Sequence, residues 1–344
     1  MRDPDRGRTV ERVQAGKSRR WAANLRGLRP GALLAVIAAG VGALFGSGVL
    51  QAAASGSSVP PTPSYTQVAK DMKQWGFTPA PGSIPELACS DNSYANAVQN
   101  GVTYGTYSLK PYFYPGANGQ PAGYEYDLLK AALNYAGITK IKIVYAPYDS
   151  LIPALTASRI DMFPAHETPE RLKVIGFTAP VYWYGPGIVV PASNPAHITS
   201  YGGLTKAGVK VGVVTGSAAQ LYMQRVHGSV VTYTSETDEF ASLLAGRESA
   251  VLEDAPTIAA YFGAYPHAKL ALVKTAPLDA ATLAALGYSD FEWGIRKSEC
   301  SLDLAVSRSL AVIRADGVVK TILQRAGMAG LAGTDVPGLA GLAG

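Results

Sequence analysis

Apolar residues between positions 101 and 191 alternate between short β-rich runs and stretches with helical spacing. Val102–Thr106 and Ile141–Tyr145 are runs rich in β-branched and aromatic residues, which is typical of strands. Between them, Gly123–Ala136 carries its leucines and alanines on one face, as an amphipathic helix does. The same pattern predicts a helix at Ser150–Ala157 and strands at Arg159–Phe163 and Tyr182–Pro191.

A second alternating set of elements follows Asn194. Its predicted strands are Lys210–Val214, Val230–Tyr233, Ser249–Leu252 and Phe291–Arg296, and its predicted helices are 217–226, Thr237–Ala245, Ala255–Phe262, Leu302–Ala315 and Val318–Ala326. Strands that alternate with helices of this length form mostly parallel sheets flanked by helices. The two sets therefore predict an α/β chain of two lobes, with a ligand site in the cleft between them.

Residues 1–54 have the three parts of an export signal. Arginines precede an uncharged apolar segment, Gly31–Leu50, and small residues follow it. An apolar segment of this length can also span a bilayer, so a retained membrane anchor is the alternative. Several glycines make the segment only mildly hydrophobic, which favours cleavage. In both cases the body of the protein lies outside the cytoplasm, because the basic end stays inside.

The net charge of +5 is confined to the N-terminal region. Residues 1–30 contribute +6, so the rest of the chain carries about −1. A protein that binds nucleic acid needs a basic face on its folded body, and that class is excluded. Residues 55–100 are interpreted as a Ser/Pro linker and an N-terminal extension, with a helix at 64–76 and a Pro-rich loop at 77–95, and residues 329–344 as a disordered tail.

Cys89 and Cys300 are the two cysteines of the chain. Thiols oxidise outside the cytoplasm, so a disulfide is expected to join the N-terminal extension to a C-terminal helix. Two unrelated buried thiols are the alternative. The four histidines are scattered without metal-ligand spacing, so neither a metal nor a cofactor is expected.

Arg171 is the first candidate binding residue. Thr168 has the properties of a helix N-cap, and Pro169 suits the first helical position. The guanidinium of Arg171 would then be held in the opening turn of a helix, where it can bind a carboxylate by two parallel hydrogen bonds. An ordinary surface arginine on a capped helix is the alternative.

Residues 101–328 resemble the extracellular solute-binding proteins of bacterial ABC importers, in the family that takes up amino acids. The matching pieces follow the family's order at close to its spacings; they are residues 123–132, 148–155, 159–161, 168–171, 177–182, 211–217, 246–254 and 314–317. The resemblance implies a periplasmic-binding-protein-like clamp with two crossover strands. Its first lobe would be 101–191 plus 290–328, and its second lobe 192–289.

The resemblance also implies roles for individual residues. Arg171 would hold the α-carboxylate of the ligand, and Asp254, from the other lobe, its α-ammonium. The turn Thr215-Gly216-Ser217 would add donors at a helix N-terminus, where N–H groups favour an anion. Each assignment has a structural alternative: Asp254 could cap the helix that follows it, and the turn could be an ordinary connection between a strand and a helix.

Three further residues complete the predicted site. His166 replaces a small residue of the family pattern in a segment two residues shorter, and it either projects into the cleft or is a solvated loop residue. Tyr107 and Tyr148 are candidates for an aromatic wall around an apolar or cationic side chain.

The sequence thus predicts an exported, periplasmic, monomeric solute-binding protein that delivers an amino acid or small carboxylate to an ABC permease and catalyses no reaction. A dehydratase of cyclic carboxylates is one alternative, with Glu167, Glu253 or His166 as acid or base in a closed site. A membrane-tethered ligand sensor is another alternative, and it requires that the segment 31–50 be retained.

Overall fold

The computed structural model of the protein describes residues 59–75, 89–182, 185–274 and 291–328. Its helices there are α1 (Tyr65–Gln74), α2 (Ser93–Asn100), α3 (Tyr124–Tyr135), α4 (Leu151–Thr156), α5 (Pro169–Leu172), α6 (Ala218–Arg225), α7 (Glu236–Leu244), α8 (Ala255–Ala264), α9 (Cys300–Ala315) and α10 (Val318–Arg325). The predicted export signal, residues 55–58 of the linker and the tail at 329–344 lie outside the described residues.

The strands form two five-stranded sheets and one short hairpin. They are β1 (Val102–Thr106), β2 (Tyr114–Pro115), β3 (Pro121–Ala122), β4 (Ile141–Tyr145), β5 (Met162–His166), β6 (Gly176–Phe177), β7 (Pro186–Pro191), β8 (Val211–Val214), β9 (Val230–Tyr233), β10 (Ala250–Asp254), β11 (Leu270–Leu272) and β12 (Phe291–Ile295). The first sheet has the order β4-β1-β5-β12-β6 and the second β11-β7-β10-β8-β9; β2 and β3 form the hairpin.

The chain builds most of the first sheet, then the second, and returns to the first in β12. Strands β1, β4 and β5 are parallel, and so are β8, β9 and β10, because a helix lies between successive strands. The late strand β12 runs antiparallel to β5 and β6, and β7 runs antiparallel to β10 and β11. This arrangement confirms the predicted fold of two α/β lobes with two crossover strands.

We call the first sheet with α1–α5, α9 and α10 the first lobe, and the second sheet with α6–α8 the second lobe. Each lobe has its own apolar core: Tyr104, Leu128 and Trp293 are fully buried in the first, and Val211 and Leu252 in the second. The lobe boundaries drawn from the sequence stay a prediction, and β7 pairs within the second sheet although the sequence assigns it to the first lobe.

Local differences from the predicted elements have local causes. Helix α2 begins inside the range expected to be a loop, because the prolines of that range end before it. Strand β5 begins three residues later than predicted, since Ser158 turns the chain at a positive φ of 56° and the N–H of Asp161 donates to the carbonyl of Thr103. The remaining predicted strands and helices are present within a few residues of their expected ends.

A disulfide between Cys89 and Cys300 joins the N-terminal extension to α9, as expected. Beside it, the carboxylate of Asp91 accepts hydrogen bonds from the N–H groups of Ser93 and Ser301, each at 3.0 Å, at the starts of α2 and α9. The extension is therefore fixed to the first lobe by the disulfide and by the Asp91 carboxylate, which accepts hydrogen bonds at the starts of both helices. No described helix has the length and hydropathy to cross a membrane, and the segment 31–50 lies outside the described residues.

Glu125 is a fully buried carboxylic acid in the first turn of α3. It accepts hydrogen bonds from Trp293 Nε1 at 2.6 Å, from the hydroxyl of Tyr104 at 3.2 Å and from the hydroxyl of Tyr182 at 3.3 Å. Burial raises its pKa to about 7, against the opposing effect of these three bonds. One side chain thus links α3, β1, β12 and the chain segment that leads to β7.

Candidate functional site

The cleft between the lobes is the candidate site. Its lining from the first lobe consists of Tyr107, Tyr148, Pro164, Ala165, His166 and Phe291, and its lining from the second lobe of Val214, Ser217, Ala218, Glu236, Glu253 and Asp254. The cavity volume is about 30 Å³, so little free space remains between the lobes in this arrangement. The two lobes are in contact around it.

Arg171 lies where α5 begins, held as the sequence predicts. The hydroxyl of Thr168 accepts a hydrogen bond from the N–H of Arg171 at 3.2 Å, and Pro169 is the first helical residue. The Arg171 side chain is buried, and its Cζ atom lies 5.5 Å from the centre of the Tyr148 ring. The capped turn thus places a guanidinium under the aromatic wall of the first lobe.

The guanidinium of Arg171 connects the two lobes. Nη1 donates to the carbonyl of His166 at 2.8 Å, and Nη2 donates to the carbonyl of Gly216, in the second lobe, at 2.9 Å. The side chain of Tyr148 is a third hydrogen-bond partner of Arg171, so two of the five N–H donors of the arginine remain for a ligand. A carboxylate in the cleft could use them, or could replace the carbonyls when the lobes move.

Asp254 faces the cleft from the second lobe, at the junction of β10 and α8. It occupies the N-cap position of α8, but its side chain makes no capping hydrogen bond, so the capping alternative lacks its expected bond. Its Oδ2 atom lies 3.9 Å from Nε2 of His166, which is beyond hydrogen-bond distance. His166 is buried and lines the cleft, so the structure places it there and not in a solvated loop.

The turn between β8 and α6 uses most of its polar groups within the chain. Thr215 donates its hydroxyl to the carbonyl of Tyr233 at 3.0 Å, and Gly216 donates its N–H to the side chain of Gln220 at 2.7 Å. Ser217 caps α6 by accepting from the N–H of Gln220 at 3.1 Å, and it lines the cleft. Of the three predicted residues, Ser217 alone reaches the cleft, while Gly216 reaches Arg171 through its carbonyl.

Tyr107 and Tyr148 form the predicted aromatic wall. Their rings meet edge to face with centroids 5.8 Å apart, and the ring of Tyr112 stacks behind Tyr107 at 5.4 Å. Burial and the nearby acids Glu236, Asp254 and Glu253 raise the pKa of the Tyr107 phenol well above 10, so it stays a neutral hydroxyl. The wall therefore offers π faces and hydroxyls but no charge.

The second lobe contains a group of buried acids of which sequence reasoning named only Glu253, as an acid or base of the dehydratase alternative, and missed Glu236 and Glu239. Glu236 and Glu253 line the cleft beside Asp254, and Glu239 lies behind them. Burial raises the pKa of Glu236 to about 7, and burial together with neighbouring carboxylates raises the pKa of both Glu239 and Glu253 well above 4.5. Glu236 and Glu239 follow Ser235, a helix N-cap, so in the sequence they resemble ordinary first-turn acids.

One group of side chains in the described part of the chain has the spacing of metal ligands. It consists of Cys89, Asp91 and Cys300, and both thiols are used in the disulfide. A thiol must be deprotonated and free to bind a metal. This group therefore offers no free thiolate to a metal.

The chain is similar in sequence to known solute-binding proteins. Residues 102–328 match the model of the bacterial extracellular solute-binding proteins, family 3. An ABC transporter arginine-binding protein of Escherichia coli is 30% identical over 227 residues, which cover 64% of this chain and 88% of that relative. A probable amino-acid ABC transporter periplasmic-binding protein of Sinorhizobium fredii is 31% identical over 166 residues, or 46% of this chain and 55% of the relative.

Solved structures show the same similarity. An ancestral arginine-binding protein bound to arginine has 26% sequence identity and a TM-score of 0.56, and the match covers 65% of this chain and 96% of that one. The family match extends over the first lobe, the second lobe and the return to the first. The chain therefore belongs to family 3 of the bacterial extracellular solute-binding proteins.

Proposed function

We propose that this protein captures an amino acid between its lobes and presents the closed form to an ABC permease. The observation that carries the proposal is the placement of opposite charges: Asp254 lines the cleft from the second lobe, and Arg171 of the first lobe lies next to the lining, behind the ring of Tyr148 and bonded to the carbonyl of Gly216. A zwitterion has both charges within a few ångströms, and burial of either one without a partner costs several kcal/mol.

Closure and binding are then one event. The α-carboxylate binds the guanidinium of Arg171, and the α-ammonium binds Asp254 beside His166. Because the two partners belong to different lobes, the ligand favours the closed arrangement over the open one and shifts the population towards it. Tyr107 and Tyr148 cover the ligand side chain, and the protein itself performs no bond chemistry.

The partner and the location follow from the same proposal. The closed form docks as a monomer on a permease in the cytoplasmic membrane, outside the cytoplasm. Residues 1–54 direct export. Sequencing of the mature N-terminus shows whether they are removed: a start near Ser55 supports cleavage, and an intact Met1 supports a membrane anchor.

A thermal-shift screen against amino acids, amines and organic acids tests the proposed function. A ligand at a hundredfold its dissociation constant should raise the free energy of unfolding by about 2.7 kcal/mol, because it binds the folded state alone. The screen includes basic amino acids, since one relative is named for arginine. Stabilisation by no amino acid, or turnover of a cyclic carboxylate in a parallel incubation, would contradict the proposal.

Asp254→Asn separates amino acids from plain carboxylates. The variant should weaken binding of an amino acid by about 2 kcal/mol, because a charge-assisted hydrogen bond becomes a neutral one. A ligand without an amine should lose little. Calorimetry on the wild type and the variant measures both, and equal losses for the two kinds of ligand would place the ammonium elsewhere.

A further inference from the structure

The second lobe brings more negative charge to the cleft than one α-ammonium needs. Asp254 supplies the carboxylate that the ammonium requires, and Glu236 and Glu253 line the same cavity. Glu253 is 5% exposed and Glu236 8% exposed, so both acids are held away from bulk water. Burial of carboxylates without a compensating partner is costly, and a cluster of this kind persists where a ligand completes it.

No basic side chain compensates these acids within the described ranges. Arg171 uses its two terminal nitrogens on backbone carbonyls, and no described Lys or Arg lies within 4.0 Å of the carboxylates of Glu236, Glu239 or Glu253. Among the undescribed ranges, 76–88, 183–184, 275–290 and 329–344 contain no Lys, Arg or His, and the nine Lys and Arg of residues 1–58 all belong to the predicted export signal. Within the described ranges, therefore, no Lys or Arg pairs with these acids.

Individual oxygen atoms also lack partners. Oε2 of Glu253 is buried without a hydrogen-bond partner in a side chain that lines the cavity. Its other oxygen, Oε1, accepts from the N–H of Asp254 at 2.7 Å, so Oε2 is the oxygen left for a ligand. Glu239 lies directly behind, and its carboxyl group shares a hydrogen bond with the side chain of Glu253 when one of the two is protonated. Only Glu236 and Glu253 line the cavity, so their carboxyl oxygens are the acceptors that a donor on a ligand can reach.

The opposite wall of the cleft suits a cation. Tyr107 and Tyr148 present aromatic rings from the first lobe, and the ring of Tyr148 already lies 5.5 Å from the guanidinium carbon of Arg171. Aromatic faces attract cations through the quadrupole of the ring. A cationic group between this wall and the acids would meet favourable electrostatics on both sides.

We propose that Glu236 and Glu253 form a second cation subsite, which selects amino acids with a positively charged side chain. The subsite lies beside the position of the α-ammonium at Asp254, and it rests on the proposed function. A guanidinium or ammonium group of the ligand donates to Oε2 of Glu253 and to the carboxylate of Glu236. Burial and mutual repulsion raise the pKa of both Glu239 and Glu253 well above 4.5, so this pair holds a proton more readily than free carboxylates do, which limits the repulsion among the acids.

Calorimetry with three matched probes tests the subsite in the wild-type protein. L-arginine carries both cations and the carboxylate, L-citrulline replaces the guanidinium by a neutral urea of nearly the same shape, and agmatine lacks the carboxylate. At pH 8, where Glu236 is charged, L-arginine should bind about 30-fold or more tighter than L-citrulline, because a buried charge pair is lost with the neutral probe. Equal affinities for the two would overturn the subsite.

Variants locate the effect. Glu236→Gln combined with Glu253→Gln should reduce the affinity for L-arginine by about 30-fold and leave that for L-citrulline within about threefold. Each single variant provides the same comparison if the double variant is unstable, and thermal melting checks folding. Asp238→Asn removes a charge from the same helix outside the cleft, and it should leave the ratio of the two affinities unchanged.

The outcomes distinguish the subsite from the proposed function. An unchanged ratio of arginine to citrulline affinity in the Gln variants overturns the subsite, while binding of either amino acid still supports capture of amino acids. Binding of agmatine alone supports the subsite and overturns recognition of a carboxylate at Arg171. If none of the three probes binds and the screen finds no amino acid ligand, both proposals fail.

Discussion

Arg171→Ala is expected to weaken binding of the amino acid by about 2–5 kcal/mol, because the ligand carboxylate would be buried without its partner. The substitution also removes the hydrogen bond from Nη2 to the carbonyl of Gly216, which joins the closed lobes. Both losses act on the ligand-bound state. Isothermal titration calorimetry against the ligand found in the screen measures the change in affinity.

Arg225→Ala is the matched control. Arg225 also reaches across the lobes, where Nη1 lies 3.5 Å from the carboxylate of Glu170, but both side chains are well exposed. Exposed ion pairs contribute about 0–1 kcal/mol, so this variant should bind nearly as tightly as the wild type. Unchanged affinity in Arg171→Ala would remove Arg171 from the site, and equal losses in both variants would indicate a general effect on closure.

Glu125→Ala should lower the free energy of unfolding by about 3–5 kcal/mol, since it leaves buried donors unsatisfied and opens a cavity. The donors are Trp293 Nε1 and the hydroxyls of Tyr104 and Tyr182. Urea denaturation measures the loss. Glu125→Gln is the matched variant, because an amide has the shape of the protonated acid and keeps an acceptor oxygen for two of the donors.

The pH dependence of the free energy of unfolding, compared between the wild type and Glu125→Gln, isolates the contribution of Glu125. Its pKa is raised from 4.5 to about 7 in the folded state, so the folded protein holds a proton that the unfolded chain releases. Its contribution is therefore complete below about pH 4.5 and is lost as the pH rises through about 7. Glu125→Gln lacks this contribution and should gain stability relative to the wild type between pH 5 and pH 8. A constant difference over that range would contradict the raised pKa.

The elements of the fold could be predicted because hydrophobic spacing is local. Runs such as Val230–Tyr233 are short, β-rich and bounded by turn residues, and the structure has a strand at the same residues. The position of Arg171 at the start of a helix could be predicted for a similar reason. The residues that cap the helix, Thr168 and Pro169, are close to it in the sequence. The return of the chain to the first lobe could not be predicted from local spacing and was expected only from the family resemblance. It depends on the pairing of β12 with β5, which are more than a hundred residues apart.

The burial of Glu236 and Glu253 could not be predicted from their own surroundings in the sequence, although the dehydratase alternative includes Glu253. Glu236 follows a helix cap and Glu253 is the last residue but one of a strand, and both positions commonly face solvent. The cavity that they line is completed by residues far away in the chain, among them Tyr107 and Tyr148 of the other lobe. Glu125 is similar: its position in the first turn of a helix suggests a surface acid, whereas three distant donors hold it in the core.

The disulfide has a consequence for how the chain matures. Cys89 and Cys300 are the only thiols, so oxidation has one intramolecular product and no scrambled isomer exists. They are 211 residues apart, so the bond can form only after the chain has been made as far as the first residue of α9. A free, reactive Cys89 therefore marks molecules whose final helices are not yet in place, and labelling with a thiol reagent would count them.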